Sequence, residues 1–186
     1  MLLAPAWVLI LAVVAALCLA IQGRPVFFLQ YRTGKDEKLF RIVKFRTMRV
    51  HDSRLSTEKD ITFLGRFLRR FSLDELPELL NVIQGTMSLV GPRPLLPEYV
   101  QIYTAAERTR HRVKPGITGL AQINGRNEIS WRKKLAYDIA YVETRSLTLD
   151  FKILLKTFPL VFSGKGVEAD AGGLVSSLSC ERRSSR

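Results

Sequence analysis

The chain has 186 residues, with 29 lysines and arginines against 17 aspartates and glutamates, and a net charge of +12 at neutral pH. This length is enough for one domain with a substantial core, and the charge favours polyanionic partners such as nucleic acid, anionic lipid or phosphorylated substrates. The two cysteines lie at opposite ends of the chain and only two histidines accompany them. This pattern gives no disulfide framework and argues against a structural zinc site.

An uncharged apolar run extends from Leu2 to Ile21 and is interrupted only by Pro5. At about 1.5 Å per residue it has the length of a membrane helix, so the sequence predicts a membrane-inserted helix over residues 1–22. A signal peptide is the first alternative, but the run lacks a positively charged start and a cleavage site. A buried soluble helix is the second, and the run is long for one. The basic residues that follow place the body of the protein on the cytoplasmic side.

Aromatic and β-branched residues on both sides of a loop that contains Gly34 predict a small β-hairpin over residues 25–48. Lys44 and Arg46 would share one face of its second strand, which is either an ordinary solvent-exposed face or an anion site. Residues 51–60 are polar and predict a loop.

The second half of the chain is predicted to be helical. Apolar spacing favours helices over residues 97–110, 128–145 and 149–162. The last helix is basic and amphipathic, so it either lies on a membrane surface or packs in the core. The composition of residues 163–186 predicts a mobile basic tail.

Two adjacent acids, Asp74 and Glu75, lie at the start of a predicted amphipathic helix that continues to Ile83. The helix is predicted from the spacing of four apolar residues on one buried stripe: Leu73, Leu76, Leu80 and Ile83. Acids at a helix N-terminus can hold a metal or serve as a nucleophile. The alternative is a capping box, in which Ser72 and Glu75 only satisfy backbone N–H groups. Pro77 fits an N-cap at Asp74 better than one at Ser72, but the sequence leaves the choice open.

The turn that follows this helix, Gly91-Pro92-Arg93-Pro94, presents an arginine between two prolines. Each proline fixes its own φ and pushes the residue before it toward extended geometry. Arg93 is therefore expected to offer a fixed, planar fork that suits phosphate or carboxylate.

Taken together, these stretches resemble the bacterial sugar transferase family, the small monotopic phosphoglycosyl transferases. The resemblance covers roughly residues 5–155. The matching stretches are Pro25-Val26-Phe27-Phe28 with Gln30 and Arg32, Lys44-Phe45-Arg46-Thr47-Met48, Ser72-Leu73-Asp74-Glu75-Leu76-Pro77, Gly91-Pro92-Arg93-Pro94, Arg112-Val113-Lys114-Pro115-Gly116-Ile117-Thr118-Gly119 and Asn124-Gly125-Arg126.

The resemblance implies transfer of a phosphosugar from a UDP-sugar to polyprenol phosphate, with UMP as the other product. Asp74 matches the nucleophile that forms a phosphosugar-enzyme intermediate. Glu75, together with Asp74, would hold the Mg²⁺ cofactor. The family also implies substrate and phosphate contacts for five basic residues: Lys44, Arg70, Arg93, Arg112 and Arg126. Cations around Asp74 would keep its carboxylate ionised.

The expected fold is α/β, mostly helical with a small β-hairpin, and has three parts: a membrane-inserted, re-entrant-type helix (1–22), a catalytic domain (23–162) and the tail (163–186). The expected location is the cytoplasmic face of the bacterial inner membrane, in contact with lipid and without nucleic acid; homo-oligomerisation is left open. Family members usually carry a basic segment before a break in the membrane helix, and Ala4-Pro5 matches that break. The half of the re-entrant hairpin that would come before the break is not present in this sequence. A truncated, inactive homologue is therefore one alternative, and a membrane-anchored basic module that binds anionic lipid or nucleic acid is another.

Overall fold

The computed structural model describes residues 3–49, 60–125 and 129–163 of the chain. The described part is mostly helical and contains a small antiparallel hairpin, as the sequence predicted. Its elements in chain order are α1 (Leu3–Gln22), β1 (Phe27–Thr33), β2 (Leu39–Phe45), α2 (Phe63–Arg70), α3 (Glu78–Ile83), β3 (Ser88–Val90), α4 (Ala105–Arg108), β4 (Gly116–Thr118), α5 (Leu120–Ile123), α6 (Trp131–Thr144) and α7 (Leu147–Ser163).

The apolar N-terminal run forms the helix α1, and one side of it packs on the body of the protein. Val14 and Cys18 are buried in a cluster with Phe45 of β2 and with Leu64 and Leu68 of α2. Beyond residue 7, much of the remaining surface of α1 is apolar and exposed, with large hydrophobic side chains at Val8, Leu9, Ile10, Val13, Leu17, Leu19 and Ile21. Within the described ranges, no helix meets both the length and the apolarity that crossing a membrane requires. Insertion of α1 therefore stays a prediction.

The predicted hairpin is confirmed. Strands β1 and β2 pair antiparallel from Phe27 opposite Phe45 to Thr33 opposite Leu39, which places Lys44 opposite Phe28. Buried side chains on β2 anchor the hairpin to the domain because Phe40 and Ile42 pack with Met87. The strand therefore carries Lys44 on a rigid support.

The predicted single helix from residue 72 to 83 is wrong. A 3₁₀ turn over Leu73–Glu75 comes first, and α3 begins only at Glu78, with Pro77 as its N-cap. Pro77 cannot donate an intrahelical hydrogen bond, which explains the break. The predicted buried stripe is wrong as well, because Leu80 and Ile83 are 38% and 73% exposed.

The capping-box alternative is also excluded. Ser72 has a positive φ of 53° and its side chain makes no capping hydrogen bond. Neither of the two acids therefore lies in the first turn of an α-helix, and Glu75 is not occupied in capping one.

A short parallel sheet that the sequence analysis missed supports the Arg93 turn. Strand β3 pairs with β4, and the close crossing needs glycine at two positions. A Cβ on Gly91 would approach the carbonyl oxygen of Lys114 to 2.5 Å, and one on Gly116 would approach the amide nitrogen of Gly91 to 2.1 Å. The turn after β3 is thus packed directly against the Pro115-Gly116 turn.

The helix predicted over residues 97–110 is broken into three pieces: a 3₁₀ segment Pro97–Ile102, the short α4 and a 3₁₀ segment Thr109–Arg112. Thr104 explains one break because its side chain accepts from the amide of Glu107 and Glu107 in turn accepts from the amide of Thr104. This capping box starts a new helix in the middle of the predicted one.

The two C-terminal helices are confirmed. Trp131 and Leu135 of α6 join the core cluster around Tyr99. Ile153 of α7 is fully buried, whereas its aromatic residues Phe151, Phe158 and Phe162 are 62%, 65% and 72% exposed. Part of the helix therefore packs in the core, as one alternative predicted, and part offers an exposed apolar face. Contact of that face with a membrane surface stays a prediction. The predicted tail beyond residue 163 lies outside the described residues.

Candidate active site

Three elements bring charged side chains together around Glu75. Lys44 comes from β2, Glu75 from the 3₁₀ turn before α3, and Arg93 from the turn after β3. Lys44 Nζ donates to Glu75 Oε1 at 2.7 Å, and Arg93 Nη2 donates to the same oxygen at 2.8 Å. The resemblance placed these three residues in one site, and the structure brings them into direct contact.

Lys44, Glu75 and Arg93 together form what we call the clamp, and two of these three side chains are largely shielded from water. The side chains of Lys44 and Glu75 are 15% and 16% exposed, while Arg93 is 47% exposed and faces outward. Burial alone would raise the pKa of Glu75, but the charges of Arg93 and Lys44 outweigh it and hold that pKa well below its usual range. Glu75 is therefore a permanent carboxylate that fixes the two cations.

Glu78 is a site residue that the sequence analysis missed. Lys44 Nζ lies 3.1 Å from Glu78 Oε1, so one ammonium group bridges two glutamates, and the side chain of Glu78 is only 3% exposed. Burial, reinforced by the negative charge of Glu75 and opposed by Lys44, raises the pKa of Glu78 to about 7. The signal in the sequence was its spacing, because residues three apart on a helical stretch share a side.

Asn81 fastens α3 to the strand that carries Lys44. Its side-chain oxygen accepts from the amide of Val43 at 3.3 Å, and its side-chain nitrogen donates to the carbonyl of Arg41 at 2.8 Å. The side chain is buried, and its hydrogen bonds go to two residues of β2 that lie just before Lys44. This link fixes the distance between Lys44 and the two glutamates.

Asp74 differs from its neighbour in its partners and in the direction of its pKa shift. Within the described residues, its carboxylate has no hydrogen bond or ion pair, although it is half-buried. Burial raises its pKa, the charge of Glu75 raises it further, and Lys44, Arg69 and Arg93 act in the opposite direction. Burial and Glu75 together therefore outweigh the cations in setting the direction of this pKa shift. The expectation that the carboxylate of Asp74 stays ionised remains a prediction.

The other predicted phosphate-binding arginines are not part of the clamp. Arg70 is exposed and its guanidinium lies 5.7 Å from the ring centre of Phe71, whereas its neighbour Arg69 influences the pKa of Asp74. Arg112 is exposed at the end of a 3₁₀ segment. Arg126 lies outside the described residues. Substrate contacts of these three arginines stay predictions.

The donor set at the site is compatible with Mg²⁺ in one binding mode. Among residues 3–49, 60–125 and 129–163, no three His, Cys, Asp or Glu side chains are arranged to hold a metal. Mg²⁺ usually needs only one or two carboxylates, however, because substrate phosphates and water supply the remaining oxygen ligands. Asp74, whose carboxylate is available among the described residues, and the adjacent Glu75 fit this mode.

Comparison with known proteins identifies the family. A family profile described as bacterial sugar transferase matches residues 1–164. The chain belongs to the bacterial sugar transferase family. A protein of Bacillus subtilis (strain 168) named "Uncharacterized sugar transferase EpsL" is 51% identical over 165 residues, which cover 87% of this chain and 81% of that protein.

Two longer relatives carry more specific names. The UDP-glucose:undecaprenyl-phosphate glucose-1-phosphate transferase of Xanthomonas campestris pv. campestris is 42% identical over 174 residues, 86% of this chain and 36% of that protein. The UDP-galactose-lipid carrier transferase of Erwinia amylovora is 36% identical over 165 residues, 77% of this chain and 34% of that protein. The family resemblance and the expectation of a phosphoglycosyl transferase enzyme are therefore confirmed.

Proposed function

We propose that this bacterial sugar transferase moves a sugar 1-phosphate from a UDP-sugar to polyprenol phosphate, through a phosphosugar intermediate on Asp74. The observation that carries the proposal is a difference between two adjacent carboxylates. Glu75 forms ion pairs with Lys44 and Arg93, whereas Asp74 has no hydrogen bond or ion pair among the described residues. The names of the relatives support the substrate class, since two of them act on a UDP-sugar and a lipid carrier.

In the first step, a carboxylate oxygen of Asp74 forms a bond to the β-phosphorus of the UDP-sugar. The bond between that phosphorus and the bridging oxygen of the α-phosphate breaks, and UMP leaves with the electron pair. In the second step, a phosphate oxygen of the lipid attacks the same phosphorus and Asp74 is released as a carboxylate. One binding cleft is enough for both steps because UMP leaves before the lipid phosphate enters.

The clamp residues supply what the first step requires. A carboxylate is repelled by a diphosphate, so positive charge must already be in place around the reacting phosphorus. Arg93 is held by Glu75 and remains about half exposed, which leaves donors of its planar fork for a phosphate oxygen. The raised pKa of Asp74 makes its carboxylate more basic, and hence a better nucleophile once it is ionised.

Asp74 and Glu75 would hold Mg²⁺ in the mode described above. When bound, the ion would neutralise charge on the diphosphate. The protein groups then have three separate tasks: Asp74 attacks, Arg93 orients a phosphate, and Lys44 fixes Glu75.

Contact with the bacterial inner membrane at its cytoplasmic face is part of the proposal. One support is that large apolar side chains are exposed together along α1 and α7, whereas an ordinary protein surface carries them singly. The other is the lipid carrier in the name of a relative. In α7, the exposed phenylalanines are accompanied by Lys152 and Lys156, a combination typical of helices at lipid headgroups.

The covalent step is tested by omitting the lipid. Incubation with UDP-sugar and Mg²⁺ alone should release UMP in an amount equal to the enzyme present, and the intact mass should rise by one phosphosugar. Adding polyprenol phosphate should remove the adduct. A preparation that is fully active with both substrates but gives no stoichiometric UMP burst would show that the transfer is direct.

Variants separate chemistry from folding. Asp74→Asn should give no burst and no adduct because the amide keeps the shape but is not a nucleophile. Asp36→Asn is the matched control: Asp36 is exposed in the hairpin turn with a φ of 54°, a conformation that asparagine tolerates. It should behave like the wild type. Near-normal UMP release by Asp74→Asn would refute the assignment of the nucleophile.

A further inference from the structure

A buried ion pair lies directly beneath the turn that carries Arg93. Arg110 Nε and Nη2 donate to Asp138 Oδ2 at 3.0 and 2.8 Å, and the same Nη2 donates to the backbone carbonyl of Arg93 at 2.6 Å. Nη1 donates to the hydroxyl of Tyr103 at 3.3 Å. We propose that Arg110, held by Asp138, is a positioning residue that sets the place of Arg93 in the active site.

The pair is costly to bury and therefore needs a reason. Arg110 and Asp138 are only 3% and 4% exposed, although they come from segments 28 positions apart in the chain. Removing two charges from water is expensive, and an apolar pair of similar size often stabilises a fold as well or better. An apolar pair could not, however, donate a hydrogen bond to the carbonyl of Arg93. That hydrogen bond distinguishes the charged pair from an apolar replacement.

The prolines on both sides of Arg93 restrict its backbone angles but do not attach it to the domain. Backbone hydrogen bonds attach the ends of this turn, from Gly91 to Thr118 and from Thr33 to Leu95, and two successive carbonyl groups attach its middle. The carbonyl of Pro92 accepts from the amide of Gly116 at 3.0 Å, and that of Arg93 accepts from Arg110. With its backbone fixed from below, the side chain of Arg93 reaches Glu75 and still presents donors to solvent.

Arg110→Lys is the most selective perturbation. Lysine keeps the positive charge beside Asp138, but it has one nitrogen in place of the three that Arg110 uses, and it is shorter. The hydrogen bond to Arg93 should therefore be lost while the buried charge stays compensated. Asp138→Asn is a second route to the same end because it removes the charge that aims the guanidinium.

Arg108→Lys is the matched control. Arg108 also donates to a carboxylate, that of Glu37 at 3.1 and 3.2 Å, and to a backbone carbonyl, that of Val100 at 3.0 Å. These contacts involve neither Arg93 nor the charged residues around Glu75. Arg108→Lys should therefore lose hydrogen bonds comparable to those lost in Arg110→Lys, yet leave UMP release unchanged.

A double-mutant cycle with Arg93→Met separates positioning from general stability. We expect Arg110→Lys to lower kcat/KM for UMP release by about 10- to 100-fold, as small misplacements of a catalytic group do. In the Arg93→Met background, the same change should cost less than about 3-fold, since there is no guanidinium left to place. An equal loss in both backgrounds would overturn the proposal because it would reflect destabilisation alone.

The inference rests on the proposed function for its kinetic assay, so a second measurement is independent of activity. Amide hydrogen exchange of the peptide that contains residues 91–96 should be faster in Arg110→Lys and Asp138→Asn and unchanged in Arg108→Lys. Unchanged exchange in the first two would refute the tether even if both variants were inactive. A wild-type protein without UMP release would refute the proposed function but not this prediction. Loss of cooperative unfolding in both variants would overturn the proposal, because the pair would then be needed for the fold itself.

Discussion

Replacing Glu78 by glutamine should change how the stability of the protein depends on pH. Burial raises the pKa of Glu78 from 4.5 to about 7. Between these two values, the folded protein keeps a proton that the unfolded chain has lost. The free energy of unfolding therefore falls as the pH rises through this window, and the stabilising contribution is complete only below about pH 4.5.

The structure gives the size of this effect. A pKa that moves from 4.5 to about 7 corresponds to about 3 kcal/mol of stability lost across the window. No discount for solvent is needed because the side chain is 3% exposed. His111 acts in the opposite sense: burial, with the nearby charge of Arg110, lowers its pKa to about 4, so its contribution grows as the pH rises toward 6.5. Only the difference between wild type and variant isolates Glu78.

Urea unfolding at pH 4.5, 6 and 8, with EDTA present, measures this difference. Relative to wild type, Glu78→Gln should gain about 3 kcal/mol between the lowest and the highest pH because glutamine does not titrate. Glu98→Gln, which changes an exposed glutamate, is the control and should follow the wild-type curve. A constant offset between wild type and Glu78→Gln at all three pH values would refute the reasoning.

Two further substitutions test the clamp. Glu75→Gln should lose most of the UMP-release activity because Arg93 and Lys44 lose the carboxylate that holds them 2.8 and 2.7 Å away; activity near that of wild type would show that the clamp is dispensable. Arg93→Lys should lower kcat by about 100-fold, as loss of one preorganised donor does, because a point charge replaces a planar fork; an unchanged kcat would mean that Arg93 only stabilises its turn.

Patterns in the sequence predicted the regular elements that are buried on one side, but they failed where a proline or a capping residue interrupts a helix. The hairpin around Gly34 was found from its composition, and α6 and α7 from apolar spacing. The leucines after Ser72 have the same spacing, yet Pro77 divides them into a 3₁₀ turn and a short helix. Spacing alone cannot separate these cases, because it records where apolar residues would align and not whether the backbone hydrogen bonds continue.

The candidate site was predicted through family resemblance more than through local pattern. Lys44 and Glu75 are separated by 31 positions, and no periodicity relates them. Glu78 was overlooked because it looked like a surface residue of a helix, whereas packing of α3 on β2 buries it. The Arg110–Asp138 pair was overlooked because its members are 28 positions apart and no local pattern relates them.

The arrangement around Asp74 shows how one pair of adjacent carboxylates can serve two purposes. The carboxylate of Glu75 is paired with Arg93 and Lys44, and their positive charges lower its pKa. Asp74 is left half-buried beside that fixed negative charge, so its pKa rises. Environments that separate the pKa values of two neighbouring acids commonly mark a division of chemical roles. Here the difference follows from which backbone segments meet: β2 and the Arg93 turn both reach Glu75, and within the described residues no group makes a hydrogen bond or ion pair with Asp74, the proposed nucleophile.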